Sequence, residues 1–270
     1  MHATQFALNH MTTPALKLPE FFALARSLGI TAVEIRNDLE GNAMLDGTLA
    51  PDVRAFAVAA GVEIITINAL QRFNEWNPAR RAEAEALIAY ARDCGARAVV
   101  LVPVNDGSGQ VEGERQESLK VALAALMPML QEAGIVGLVE PLGFAISSLR
   151  SKREAGNAIA AVEGEAVFRL VHDTFHHYLA GEPELFPQIT GLVHISGVAD
   201  PDVALADMLD SHRGLVDASD RIDNAGQIRA LSAAGYVGPF SFEPFAASVH
   251  AEEDPAAAVR ASIDYLSAVL

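Results

Sequence analysis

The feature that most constrains this chain is an alternation running from end to end: a short apolar run, then a longer amphipathic helical pattern, eight times over. The apolar runs cover residues 6–9, 32–36, 62–68, 98–102, 135–139, 168–171, 192–195 and 240–242. Between and after them the spacing predicts helices over 19–28, 51–60, 78–94, 115–133, 148–162, 224–234 and 255–269, and a short helical turn over 182–189. Pro19, Pro51 and Pro78 open three of these helices and Gly29, Gly61 and Gly95 close them, the usual asymmetry of helix ends. Pro128 is expected to bend or break the fourth helix. Residues 199–220 are polar and irregular and form the longest loop. Eight β-then-α units without a break in composition predict an α/β fold, a (β/α)8 TIM barrel spanning 1–270 as one domain. A doubly wound sheet is the runner-up; it usually has fewer strands and often a Gly-rich first turn.

The bulk numbers narrow the function. Hydrophobic residues make up 51% of the chain, enough for a sizeable core. A net charge of −16 argues against nucleic acid as a partner, because phosphate binding needs clustered Lys and Arg. The single cysteine, Cys94, lies in a helical pattern, which predicts helix packing, no disulfide framework and a reducing, cytoplasmic setting. The first residues, Met1 to Gln5, lack a basic region followed by an apolar run, so no signal peptide is expected. No stretch reaches the uninterrupted apolar length of a membrane span.

Where the apolar runs end, chemistry begins. Glu140 ends the fifth, Asp173 follows the sixth, His194 sits in the seventh and Glu243 ends the eighth. In a barrel, the C-terminal ends of four consecutive strands lie side by side around one mouth. Three carboxylates crowded there would repel one another and be costly to desolvate without a cation. The pattern therefore predicts one divalent metal ion held by Glu140, Asp173, His194 and Glu243. An oxygen-rich set with one imidazole suits Mn2+, Mg2+, Co2+, Fe2+ or Zn2+ without choosing among them. His176, three residues beyond Asp173, can line the same mouth and meet a substrate hydroxyl; Arg213 in the long loop and Asn68 at the end of the third strand are further substrate-binding candidates. Strand alternation turns His172 away from Asp173. His10, Phe73, Glu75, Trp76 and His177 read equally well as structural residues.

These residues resemble a family. Glu140-Pro141, Asp173-Thr-Phe-His176, His194 and Glu243-Pro244 are similar to the xylose-isomerase-like barrel superfamily of sugar isomerases and epimerases. Residues 32–36, 67–70 with Phe73-Asn74, 173–177 and 240–245 bring the chain nearest to the inosose (2-keto-myo-inositol) isomerases of inositol catabolism. The likeness runs over nearly the whole chain. It departs in the loop after His194, less acidic here, and in residues 216–220, where the usual Pro-Gly-x-Gly is missing.

The resemblance implies that the Glu140, Asp173, His194 and Glu243 positions bind one divalent metal and that the His176 position contacts substrate. It implies an isomerase acting on a keto-sugar or keto-inositol through a metal-stabilised enediolate, with Glu140 and Glu243 removing and returning the proton. A keto-sugar epimerase or an inosose dehydratase is the near alternative. A non-catalytic sugar-binding barrel and an apurinic-site endonuclease are more distant ones; the endonuclease needs further ligands and a basic groove. A homo-oligomer is left open.

Overall fold

In the computed structural model, which describes residues 4–270, eight parallel strands close into a barrel in sequence order, the last pairing with the first. The strands are β1 (Phe6–Asn9), β2 (Ala32–Arg36), β3 (Glu63–Gln71), β4 (Ala98–Val102), β5 (Val136–Val139), β6 (Phe168–Asp173), β7 (Thr190–Ile195) and β8 (Phe240–Phe242). The helices are α1 (Leu18–Ser27), α2 (Ala50–Ala60), α3 (Pro78–Cys94), α4 (Glu114–Ala133), α5 (Lys152–Ala161), α6 (Thr174–Ala180), α7 (Asn224–Ala233), α8 (Ala247–His250) and α9 (Pro255–Val269).

The predicted (β/α)8 barrel is the fold observed. Its core has two parts. Ala98, Val100, Leu138, Val171 and Leu192 fill the barrel interior, while a much larger apolar layer, including Phe21, Phe22 and Phe168, lies between strands and helices. Each fully buried Phe contributes about 2–3 kcal/mol by removal from water. Cys94 belongs to this layer, where burial pushes its thiol up to about 11. No helix of the described residues is long and apolar enough to cross a membrane. The stretch read for a targeting signal begins with Met1, and residues 1–3 lie outside the described part.

Four elements differ from the expectation, each for a local reason. Pro128 lies inside an unbroken α4. The carbonyl that loses its partner belongs to Ala124, on the exposed side of the helix, where water can replace the missing N–H. Helix α5 starts at Lys152, not at 148, because Ser151 caps it through Glu154 N–H and Ser148 is drawn inward to Asn74 and the Val104 carbonyl. The helix after β6 is α6, immediately following the strand, and residues 182–189 hold no helix. Asp173 accepts the His176 N–H and so starts a helix with no intervening loop; Gly181, left-handed at φ 64°, ends it. The short α8 follows Ala246 and was not anticipated.

Candidate metal centre

The barrel brings the four strand-end residues together. Glu140, Asp173, His194 and Glu243 are all buried, and one donor atom from each lies within 4.8 Å of the others. His194 is central: its Nδ1 lies 2.9 Å from Glu140 Oε1, 3.2 Å from Glu243 Oε2 and 3.9 Å from Asp173 Oδ2. The two oxygens of Asp173 have separate tasks. Oδ1 caps α6 through the His176 N–H at 2.9 Å, and Oδ2 faces the cluster.

The charges are tightly balanced. Burial works against a protonated His194, but Glu243, Glu34 and Glu140 outweigh it and raise the imidazole well above its ordinary value. Burial likewise opposes the Asp173 carboxylate, yet Arg213, His176 and His194 hold it down at about 2. Glu243 goes the other way, pushed up to about 7 by burial, with His194 and Arg213 pulling against it and Glu140 adding to it. Four buried carboxylates, Glu34 of β2 included, thus surround one imidazole and two guanidinium groups, those of Arg213 and Arg36. Oxygen-rich donors with one imidazole, short of positive charge, fit a divalent cation.

Arg213, in the loop between β7 and α7, lines the mouth and is 2% exposed. It donates through Nη2 to Asp173 Oδ2 at 2.5 Å and Glu243 Oε2 at 2.9 Å, through Nη1 to Asp210, and through Nε to Ser196. Its guanidinium lies over the rings of Phe175 and Phe245. A single Nη1–H remains uncommitted. Asn68 also lines the mouth, but its amide nitrogen is given to Glu34 at 2.8 Å and Thr66 at 3.1 Å. His176 lines the mouth with its Nδ1 buried and unpartnered, and burial lowers its basicity. Asn105 Oδ1 is a second buried, unpartnered atom in the same lining.

The mouth is a cavity of about 250 Å³. Its polar side holds Arg36, Asp38 and Asp210, and its apolar side Leu142, Phe144 and Phe245. Phe73 is a core residue, Trp76 packs against the core, and Glu75 pairs on the surface with Arg72. His10 is buried against Phe21 and held by the Leu16 carbonyl. His172 points outward, as alternation predicts, to Lys152 and Gln227, and His177 joins it there.

Reading strand ends alone missed β2. Glu34 is fully buried inside the barrel and contacts His194 Nε2 at 3.1 Å. Burial opposes its charge, but His194, Ser241 and Asn68 hold it down at about 2. Arg36 donates to Glu243 Oε1 at 2.9 Å and grips Asp38 with its other side; Asn9 adds a bond to the same Glu243 oxygen at 3.2 Å. A signal was available: a Glu and an Arg within five residues of a parallel strand, which is normally covered by apolar groups on both faces.

Known proteins agree with this architecture. The family model described as "Xylose isomerase-like TIM barrel" matches residues 22–269. Among solved structures, a xylose isomerase domain containing protein from Salmonella typhimurium LT2 is 33% identical, with 100% of this chain and 98% of that one covered and a TM-score of 0.90. An IOLI protein with a binding zinc atom superposes at TM-score 0.88 with 20% identity, over 99% of both chains. An L-ribulose 3-epimerase superposes at 0.76 with 20% identity, over 99% of this chain and 94% of that one. At 20% identity the last two speak to the fold alone. No curated protein sequence matches significantly.

Proposed function

The chain belongs to the xylose isomerase-like TIM barrel family, and from that premise we propose that it is a divalent-metal-dependent isomerase of a neutral polyhydroxy ketone. A keto-inositol is the preferred substrate, in the conversion of 2-keto-myo-inositol to 1-keto-D-chiro-inositol, with residues 1–270 acting as one catalytic domain. The observation that carries this reading is the convergence of three carboxylates and one imidazole, buried and within 4.8 Å, at the floor of a polar mouth. Glu140, Asp173, His194 and Glu243 would hold the ion. Bound there, a divalent cation supplies Lewis acidity to a ketone oxygen and offsets the charge that grows on it.

The residues themselves do the rest. Glu140 meets His194 through Oε1 alone, leaving Oε2 as the available acceptor for the proton next to the carbonyl. Glu243 has Arg36 and Asn9 on Oε1 and Arg213 on Oε2, so it is oriented from both sides and suited to returning a proton from the opposite face. His176 Nδ1 and Asn105 Oδ1 are free to meet hydroxyls. Arg213 fixes two of the carboxylates and keeps one N–H for substrate; Asn68 reaches it through its amide oxygen.

The lining supports a neutral substrate. Both guanidinium groups are met by carboxylates, Arg36 by Asp38 and Glu243, and Arg213 by Asp173, Asp210 and Glu243. Among the described residues no lysine lines the mouth, so a phosphate would find no free cation there. The same absence disfavours a nucleic-acid backbone.

Incubation with a keto-inositol and Mn2+ in deuterium oxide tests the reading. Deuterium at the carbon beside the carbonyl, with the isomeric ketone as product, is expected. Inversion without carbonyl movement would favour epimerisation, release of water would favour a dehydratase, and no turnover with any ketose or keto-inositol would remove the enzyme reading.

A further inference from the structure

Glu34 takes no part in the proton transfer above, yet no carboxylate of the barrel is more deeply enclosed. It enters the interior from β2, on the wall across from β7, and is fully buried. Its Oε1 accepts from Ser241 Oγ, on β8. Its Oε2 accepts from Asn68 Nδ2 at 2.8 Å and Thr66 Oγ1 at 3.2 Å, both on β3, and lies 3.1 Å from His194 Nε2. Placing a carboxylate in a barrel interior is expensive, and a chain selected for stability alone would do better with an apolar residue there. Four donors from three strands offset that cost and also remove any freedom to swing aside.

The consequence falls on His194. An imidazole has two different nitrogens, and the bond made by one decides what the other can do. Glu34 is the one carboxylate on the Nε2 side of the ring, while Glu140, Asp173 and Glu243 all lie on the Nδ1 side. Nε2 therefore gives its hydrogen to Glu34, and Nδ1 is the atom that a cation held by the other three would meet. A ring turned over by half a rotation would present the wrong atom to the cluster and lose its bond to Glu34.

We propose that Glu34 is a positioning residue: by accepting the Nε2–H of His194 from across the barrel, it fixes the imidazole with Nδ1 toward the other three donors and so sets the affinity of the site for a divalent cation. The proposal rests on the reading of those four residues as a metal site. Carboxylates placed behind a ligating histidine commonly matter this much, at ten- to a hundredfold in metal affinity.

The test is Zn2+ and Mn2+ binding to the full chain by isothermal titration calorimetry, with wild type, Glu34→Gln and Glu34→Met. Glu34→Gln can keep the local contacts, its carbonyl serving the β3 donors and His194 while its amide meets Ser241 Oγ. It should bind about tenfold more weakly, and Glu34→Met more weakly still. A purely structural role would leave one further readout unmoved. In zinc-loaded wild type the His194 Nε2 proton should give a downfield, slowly exchanging NMR signal, which shifts upfield in Glu34→Gln while the backbone spectrum is retained. If Glu34→Met does not fold, Glu34→Gln decides alone. Wild-type affinity in Glu34→Gln, or an unmoved Nε2 signal, overturns the proposal. Wild-type protein that binds neither ion removes the metal reading as well, so the two failures are distinguishable.

Discussion

Consecutive residues of β6 face two different surroundings. Asp173 turns into the mouth with His194, and His172 turns outward into a pocket shared with Lys152 and His177. Both surroundings are buried and both contain imidazoles, but the imidazoles respond in opposite directions. His194, among carboxylates, is raised well above its ordinary value. His172 is lowered well below it, first by burial and then by the neighbouring Lys152 and His177. The outer cluster is closed: Lys152 Nζ donates to His172 Nδ1 at 2.9 Å and His177 Nδ1 at 2.7 Å, and the His172 Nε2–H donates to Gln227 Oε1 at 2.8 Å. The inner cluster is left with an excess of acceptors. Histidine content therefore says little about chemistry; what decides is whether the partners leave a lone pair and a charge unspent.

The comparison can be broken at several points. The largest effect is expected inside the mouth, where Glu140→Gln should lower turnover by about 10²–10⁴-fold, the usual contribution of a positioned base. Thermal melting should be little changed; loss of activity only in step with loss of fold would take Glu140 out of the chemistry.

A second effect belongs to the outer cluster and concerns stability. Burial pulls the Lys152 ammonium down to about 7 from 10.5. Between those values the unfolded chain holds the extra proton, so this group makes stability rise as pH climbs through that window and leaves it lowest below pH 7. The rise should be on the order of a few kcal/mol, seen as a shift in the urea midpoint. Lys152→Met should flatten the slope whatever it does to absolute stability, and an unchanged slope would contradict the assignment.

The smallest effect sharpens the contrast most. Gln227→Leu removes the acceptor from His172 Nε2, as Glu34→Gln alters the acceptor of His194 Nε2, and it also removes the donor to the Thr174 and Ile222 carbonyls. It should cost about 2–3 kcal/mol in chemical denaturation and leave metal affinity within twofold. A drop in affinity would show that the two sides of β6 communicate.

How much of this could be read from the chain follows from the physics of parallel strands. A single Glu before Pro at a strand end is ordinary; Glu140-Pro141 and Glu243-Pro244 become legible because Asp173 and His194 recur with them at the ends of four successive strands. Position along the strand carried the four donors. Depth inside the barrel takes a second step: Ala32-Val-Glu-Ile-Arg36 read alone is an alternating strand with a wet face, and Glu34 and Arg36 stand out only when the closed barrel, which has no such face, is applied to it. Arg213 is legible as a candidate for the mouth, but its contacts are not. Loop sequence gives no hint of the fold-back that places its guanidinium over the rings of Phe175 and Phe245. Helix α6 was missed because its cap is itself a cluster residue, and a strand passing into a helix without a connector lacks the usual turn residues.

That double duty of Asp173 bears on how relatives of this chain should be compared. Its Oδ1 starts a helix and its Oδ2 faces the cluster. A descendant that abandoned metal chemistry would still have reason to keep an aspartate there, since replacing a cap by alanine costs about 1 kcal/mol. Retention at this position is thus weak testimony about activity. Glu140, whose side chain caps nothing and bonds only His194, is the position at which loss of function should first leave its mark.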